Sequence, residues 1–122
     1  MALPRFADSL HRTPLSPPVS PGERALSFYA CGITPYDSAH IGHARSFVVF
    51  DAMAAVLRHA GYQVNLVRNI TDIDDKILAA AQRNGEDWHA LAHRFAAQNR
   101  ALLAKLGVVG YEEPSASEHV GD

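Results

Sequence analysis

Residues 26–70 read LSFYACGITPYDSAHIGHARSFVVFDAMAAVLRHAGYQVNLVRNI, and the hydrophobic spacing changes twice along that stretch. Residues 26–31 (LSFYAC) form a short apolar and aromatic run, the pattern of a buried strand. Residues 32–39 (GITPYDSA) are rich in turn formers and read as a loop. From about Ile41 to Ala60 the apolar residues recur at helical spacing. Phe47, Phe50, Ala54 and Leu57 form one row, and Val49, Met53 and Val56 form the next. Asp51, Arg58 and His59 lie opposite. More than half the circumference is apolar, which predicts a deeply packed helix. Gly61 is its stop signal. Residues 62–70 (YQVNLVRNI) read as a second strand. Strand, helix and strand in that order form a βαβ unit, with parallel strands and a right-handed crossover.

Outward from this unit the signals weaken. A short strand is expected from Leu3 to Leu10. A proline-rich connector follows over residues 13–22, kept extended by Pro14, Pro17, Pro18 and Pro21. On the other side, Asp72, Asp74 and Asp75 are expected at the start of another helix, where acidic groups suit the positive end of the dipole. That helix stops near Asn84 and Gly85. A third begins around Asp87, is apolar at Trp88, Leu91, Phe95, Leu102 and Leu106, and ends at Gly107. Residues 111–122 are polar and without periodicity. Two parallel strands and three helices fall short of a doubly wound sheet, so a chain cut from a longer one is expected, in preference to completion by self-association. The expected organisation is one small domain over residues 1–122: strand and connector (1–22), βαβ core and helices (23–107), and polar tail (108–122).

The bulk numbers set bounds on function. At 122 residues and 48% hydrophobic, the chain makes at most one small domain. A net charge of −2 argues against a self-sufficient nucleic-acid binder, though RNA remains open as a substrate where another domain supplies the basic surface. Cys31 is the only cysteine and has no partner for an internal disulfide. No charged-then-apolar leader opens the chain, and no apolar run approaches the ~20 residues that span a bilayer. A cytoplasmic setting without a membrane partner is the expectation.

The feature with most chemical content is His40-Ile41-Gly42-His43, set between a strand-loop and a helix start. Two imidazoles three residues apart share one face of the first helical turn. The free backbone N–H groups of that turn favour anions, and Gly42 lets a bulky ligand approach the backbone. Such an arrangement suits a polyphosphate. The same residues also fit a plainer reading, with His40 capping the loop and His43 a partly solvated surface residue. His89 and His93 have metal-ligand spacing, but the intervening Ala-Leu-Ala lacks the glutamate of the zincin pattern. A solvated or packing role is expected for that pair.

The motif lies within CGITPYDSAHIGHARSFVVFD (31–51), and VRNITDIDDKI follows at 67–77. Both segments closely resemble the class I cysteinyl-tRNA synthetases, including their HIGH signature. A weaker resemblance runs from about Leu3 to His119. It implies an α/β, partial Rossmann-like (HUP-type) nucleotide-binding fold, a parallel βαβ core with additional helices. The implied activity is ATP-dependent activation of L-cysteine to cysteinyl-adenylate, with Mg accompanying ATP, and transfer to tRNA(Cys). His40 and His43 are the implied catalytic residues and, with Gly42, the ATP site. Gly32, Ile33, Thr34, Ser46, Asn69, Ile70 and Thr71 are implied around the amino acid and adenylate. Cys31 is the implied zinc ligand, its co-ligands lying beyond residue 122.

Two departures from the family qualify these implications. Pro35 stands where valine is commoner, and a Thr-Pro-Tyr-Asp loop is typical of the sister mycothiol ligases, which pass activated cysteine to a glucosaminyl-inositol amine. Lys76 in DIDDKI is usual in the tRNA enzymes. The second departure is that the lysine-rich KMSKS loop and the anticodon-binding helices are not in these 122 residues. The isolated chain is therefore expected to be inactive, with tRNA engaged through other regions. The remaining alternative is a free-standing, non-catalytic paralogue that binds nucleotide or a partner protein.

Overall fold

A computed structural model describes residues 3–23 and 25–120. Strand β1 (Phe6–Ala7) pairs antiparallel with β2 (Pro14–Leu15), so the proline-rich connector itself supplies one side of a small hairpin. The expected strand within residues 3–10 is therefore much shorter. Pro14 fits there because a two-residue edge strand needs no ladder donor from it.

Strand β3 (Leu26–Ile33) runs two residues further than expected and pairs in parallel with β4 (Val64–Ile70). Helix α1 (Ile41–His59) connects them, which gives the βαβ unit. Phe28 and Ala30 of β3 and Leu66 of β4 meet Ala54 and Phe50 of α1, with Phe28 and Phe50 edge to face. On the other side of the sheet Ser27, Tyr29 and Cys31 are exposed, as the two-residue alternation of a strand demands. A register shift between Ala30 and Ile33 inserts an extra residue into β3. Gly32 stands in this bulge. A Cβ there would lie 1.4 Å from the Asn69 carbonyl oxygen, so no other residue fits.

Helix α2 (Asp75–Asn84) and helix α3 (Trp88–Lys105) pack together around Ile77, Ala80, Leu91 and Ala92. Ile77 and Leu91 are wholly buried, and each contributes roughly 1.5–3 kcal/mol of apolar burial. Asp74 caps α2 and Asp87 caps α3 through backbone N–H groups. Gly61, Gly85 and Gly107 all carry positive φ at or just after the three helix ends.

Two expectations are corrected. Helix α1 is not packed all round: Phe47, Ala54 and Leu57 are buried, whereas Val48, Val49 and Val56 are 41–51% exposed. One apolar row meets the sheet; in the other, Met53 is half-buried and lines a pocket with Phe6, Leu15 and Phe28, while Val49 and Val56 are exposed. On α3, Leu102 and Leu106 are half exposed, and Leu103 enters the core with Phe47 and Val108 instead. Lastly, the polar tail, which shows no periodicity, is nonetheless bonded to the sheet. Residues 111–115 run parallel along the free edge of β4, where the N–H groups of Arg68 and Ile70 donate to Glu112 and Pro114, and Glu112 donates back to Leu66. A short 3-10 turn, Ala116–His119, follows. The tail lies on the sheet because Arg68, only 3% exposed, holds it there. Its guanidinium sits 3.6 Å from the Tyr111 ring centre and 4.6 Å from that of Phe47, and bonds Glu113 at 2.6 Å. Arg100 of α3 binds the other oxygen of Glu113.

Candidate functional site

His40 is the N-cap of α1, in extended conformation. Its Nδ1 accepts the Gly42 N–H at 3.0 Å, and His43 Nδ1 accepts the His40 N–H at 3.3 Å. The two side chains thus form a reciprocal capping box, with imidazoles in the places where hydroxyl and carboxylate groups more often stand. The rings stack with centres 3.9 Å apart and planes 19° apart. A Cβ on Gly42 would come within 2.8 Å of the His40 ring, so the glycine makes room for this cap. His40 does cap, and in capping it sets a second imidazole beside itself.

The hydrogen bonds also decide the tautomers. A ring nitrogen that accepts a backbone N–H carries no proton, so in the neutral imidazole the proton sits on Nε2. Burial first, and the neighbouring His40 second, hold the His43 pKa below its ordinary value. The turn therefore presents Nε2–H donors rather than a doubly charged pair.

Ser46 follows one turn later, its hydroxyl donating to the Gly42 carbonyl at 3.1 Å. A groove of about 390 Å³ opens beside the turn, lined by Ala39, His40 and Ile41 on one side and Asn99, Leu102 and Leu106 on the other. Asn99 is 3% exposed, and its amide nitrogen has no hydrogen-bond partner. Nothing in the sequence marked Asn99, since an asparagine within a helical pattern carries no sign of which face is buried.

The remaining expected site residues gather at the ends of the two strands. Asn69 Oδ1 accepts from the Gly32 N–H and from the Tyr29 hydroxyl, both at 2.8 Å. Its Nδ2 donates to Thr71 Oγ1 at 2.9 Å, and the Thr71 N–H donates to the Ile33 carbonyl at 2.8 Å. Asn69 thus brackets β3 to β4, with both ends of its amide engaged. Ile70 is 1% exposed and Ile33 packs against the core around Phe47, so at those two positions the backbone is what borders the strand ends. Thr34 opens the loop that joins this group to the first turn of α1. Within that loop the Tyr36 N–H donates to the Thr34 carbonyl at 3.0 Å across Pro35, a tight turn that the fixed φ of proline suits. Lys76 Nζ lies 5.7 Å from the centre of the Tyr36 ring, so the loop and the start of α2 meet.

Asp72 does not join the start of α2. Its carboxylate accepts both the N–H of Ser117, at 2.9 Å, and the Ser117 hydroxyl. Burial, the largest single influence, pushes its pKa up; the hydrogen bonds from Ser117, from its own N–H and from Ser115 together outweigh this and hold it low. Cys31 lies within β3, not at the loop start, and is exposed. Among the described residues no three His, Cys, Asp or Glu side chains converge as a metal site, so Cys31 stands as a single thiol without a tetrahedral donor set. His89 and His93 face a small polar pocket with Asp72, Arg100 and Ser115, and His89 stacks on Trp88. Among the described residues no helix is long and apolar enough to cross a membrane.

Comparison with known proteins bears on this geometry. Residues 18–122 match the family of tRNA synthetases class I (C) catalytic domain. The chain is 46% identical over 106 residues to a cysteine–tRNA ligase of Geobacter metallireducens, covering 86% of this chain and 21% of that one. It is 50% identical over 104 residues to a cysteine–tRNA ligase of Methylobacillus flagellatus, covering 84% and 22%. Among solved structures, methionyl-tRNA synthetase of Mycobacterium tuberculosis in complex with methionyl-adenylate is similar with a TM-score of 0.63 and 25% identity, over 67% of this chain and 16% of that one. The chain thus spans about a fifth of the length of these ligases. With the family match running through the strand ends, the first turn of α1 and the tail, the chain belongs to the class I (C) tRNA synthetase catalytic-domain family.

Proposed function

We propose that this chain supplies the ATP-facing turn and the amino-acid-facing strand ends of a cytoplasmic enzyme that activates L-cysteine and passes it to tRNA(Cys). The observation that carries the reading is the reciprocal cap of His40 and His43, which commits both Nδ1 atoms to the backbone and leaves Nε2–H as the donor on each ring. Family membership and the cysteine–tRNA ligase relatives support it. In the proposed reaction a carboxylate oxygen of cysteine bonds to the α-phosphorus of ATP, and the α–β bridging bond breaks. Pyrophosphate leaves with Mg, and cysteinyl-adenylate remains. No covalent enzyme intermediate is needed; the protein positions the reactants and stabilises charge on the phosphoryl oxygens. The Nε2–H groups of His40 and His43 serve that charge, and Gly42 keeps the turn open to the nucleotide. The strand ends, with Gly32, Ile33, Thr34, Asn69, Ile70 and Thr71, border the amino acid and adenylate, and Ser46 lies on the same helix as the histidines.

Cys31 is proposed as one ligand of a zinc site. The described residues do not complete that site, and no step is derived through it. The cysteine–tRNA ligase relatives favour tRNA over the sugar-amine acceptor, and the burial of Pro35 at a tight turn supports a backbone role for it. The domain is proposed to extend over residues 1–122 with the tail as part of it, since residues 111–117 are bonded to β4 and to Asp72.

The test is cysteine-dependent exchange of labelled pyrophosphate into ATP. It is run on a chimaera in which this chain replaces the matching segment of one of the cysteine–tRNA ligases above. Exchange that requires cysteine supports the reading; a folded chimaera with none contradicts it. The 122-residue chain alone is expected to show no exchange, because the pyrophosphate side of the transition state lacks cations there.

A further inference from the structure

The Asp72–Ser117 contact spans 45 residues and joins the tail to the residue directly after Thr71. Asp72 is 9% exposed, and its carboxylate accepts two hydrogen bonds from one serine. On the near side, Thr71 gives its N–H to Ile33 and takes the Asn69 amide on its hydroxyl, while Asn69 holds Gly32. Hydrogen bonds therefore tie the tail to Asp72, and, one peptide link away, tie Thr71 to Asn69 and to the end of β3. Just upstream, Glu112 and Pro114 are bonded to the same strand edge, so the tail is fixed and Asp72 is fixed to it.

We propose that Asp72 and Ser117 are positioning residues for the amino-acid end of the site: they hold the end of β4 so that Thr71 and Asn69 stay in register with Gly32 and Ile33. This rests on the proposed cysteine activation. Neither residue touches the reacting atoms; each acts through Thr71. A carboxylate suits the role because a buried, doubly hydrogen-bonded anion has one narrow geometry, whereas a neutral cap would leave the strand end free to shift.

The experiment uses the active chimaera with Asp72→Ala, Ser117→Ala and Ser117→Thr, and with Ile77→Val as a control that weakens the α2–α3 core at a distance. Asp72→Ala and Ser117→Ala are expected to lower kcat/KM for cysteine by about ten- to hundredfold, as small misplacements at a reacting centre do. KM for ATP is expected to stay within about twofold, because the nucleotide end is held by the first turn of α1. Ser117→Thr keeps both donors and should restore activity; Ile77→Val should lower stability without moving either KM. Hydrogen exchange on the 122-residue chain is the second readout: Asp72→Ala should speed exchange at the Thr71 and Gly32 amides by about tenfold, while the α1 amides are unchanged. Unchanged cysteine kinetics in the Asp72 variant of an active chimaera, or unchanged Thr71 protection, overturns the inference. A wild-type chimaera without exchange overturns the functional reading first, and the positioning role with it.

Discussion

At the first turn of α1, His40 and His43 each commit one ring nitrogen to the backbone and leave the other without a partner among the described residues. At the outer edge of β4, the Glu113 carboxylate pairs with both Arg68 and Arg100, and the Arg68 guanidinium lies against the rings of Phe47 and Tyr111. Both regions use polar side chains at the border of an apolar core. One faces outward with spare donors, and the other commits its carboxylate to two arginines. Spare, preoriented donors mark a place for a ligand; closed ion pairs mark a fastening. The comparison separates residues whose loss should cost activity from those whose loss should cost the fold.

The largest effect is expected at the fastening. Glu113→Ala leaves Arg68 buried without its counter-charge, and unfolding in denaturant should show a loss of roughly 3–5 kcal/mol. A loss below about 1 kcal/mol would place the pair among ordinary surface contacts. Next comes the outward-facing turn. His40→Asn keeps a good N-cap but removes the imidazole, so the melting temperature should hold while exchange in the chimaera falls by about a hundredfold or more. Equal loss of stability and activity would erase the distinction between the two regions.

How far each region could be read from sequence follows the same division. The turn was legible because everything it needs is local: the cap, Gly42 and His43 lie within four residues, between a strand and a helix of clear period. Helix bounds were legible from Asp74, Asp87 and the stop glycines for the same reason. The fastening was not. Glu113 meets Arg68 across 45 residues, and Ser117 meets Asp72 across the same span, so the tail offered only polarity without period. Asp72 was misplaced at a helix start because three aspartates in four positions resemble a cap, and only one of them, Asp74, is that cap. Packing of α1 was overstated because periodicity shows how much of a helix is apolar, not how many neighbours it meets.

A smaller effect tests the charge state of the turn. His43 has a folded pKa below its ordinary value near 6.5. The neutral form is thus the one the fold favours. Its contribution is fully present above that ordinary value and is lost as pH falls through the lowered folded value. His43→Gln keeps an acceptor for the cap and should flatten the acid side of a stability–pH profile below the ordinary histidine value near 6.5. A steeper profile in the variant would contradict the assignment. The smallest effect is expected at Pro35→Val, a buried swap of similar size that should cost less than about 1.5 kcal/mol and leave the acceptor preference of the chimaera unchanged.

The most direct test of the central claim is a long-range proton–nitrogen spectrum of the imidazoles in the 122-residue chain near pH 7.5. His40 and His43 are both expected to show the Nε2–H tautomer, with Nδ1 unprotonated and hydrogen-bonded, and His40→Ala to release the tautomer of His43. An Nδ1–H tautomer at either histidine, or a protonated pair at that pH, would contradict the claim that the first turn of α1 is a preset pair of donors.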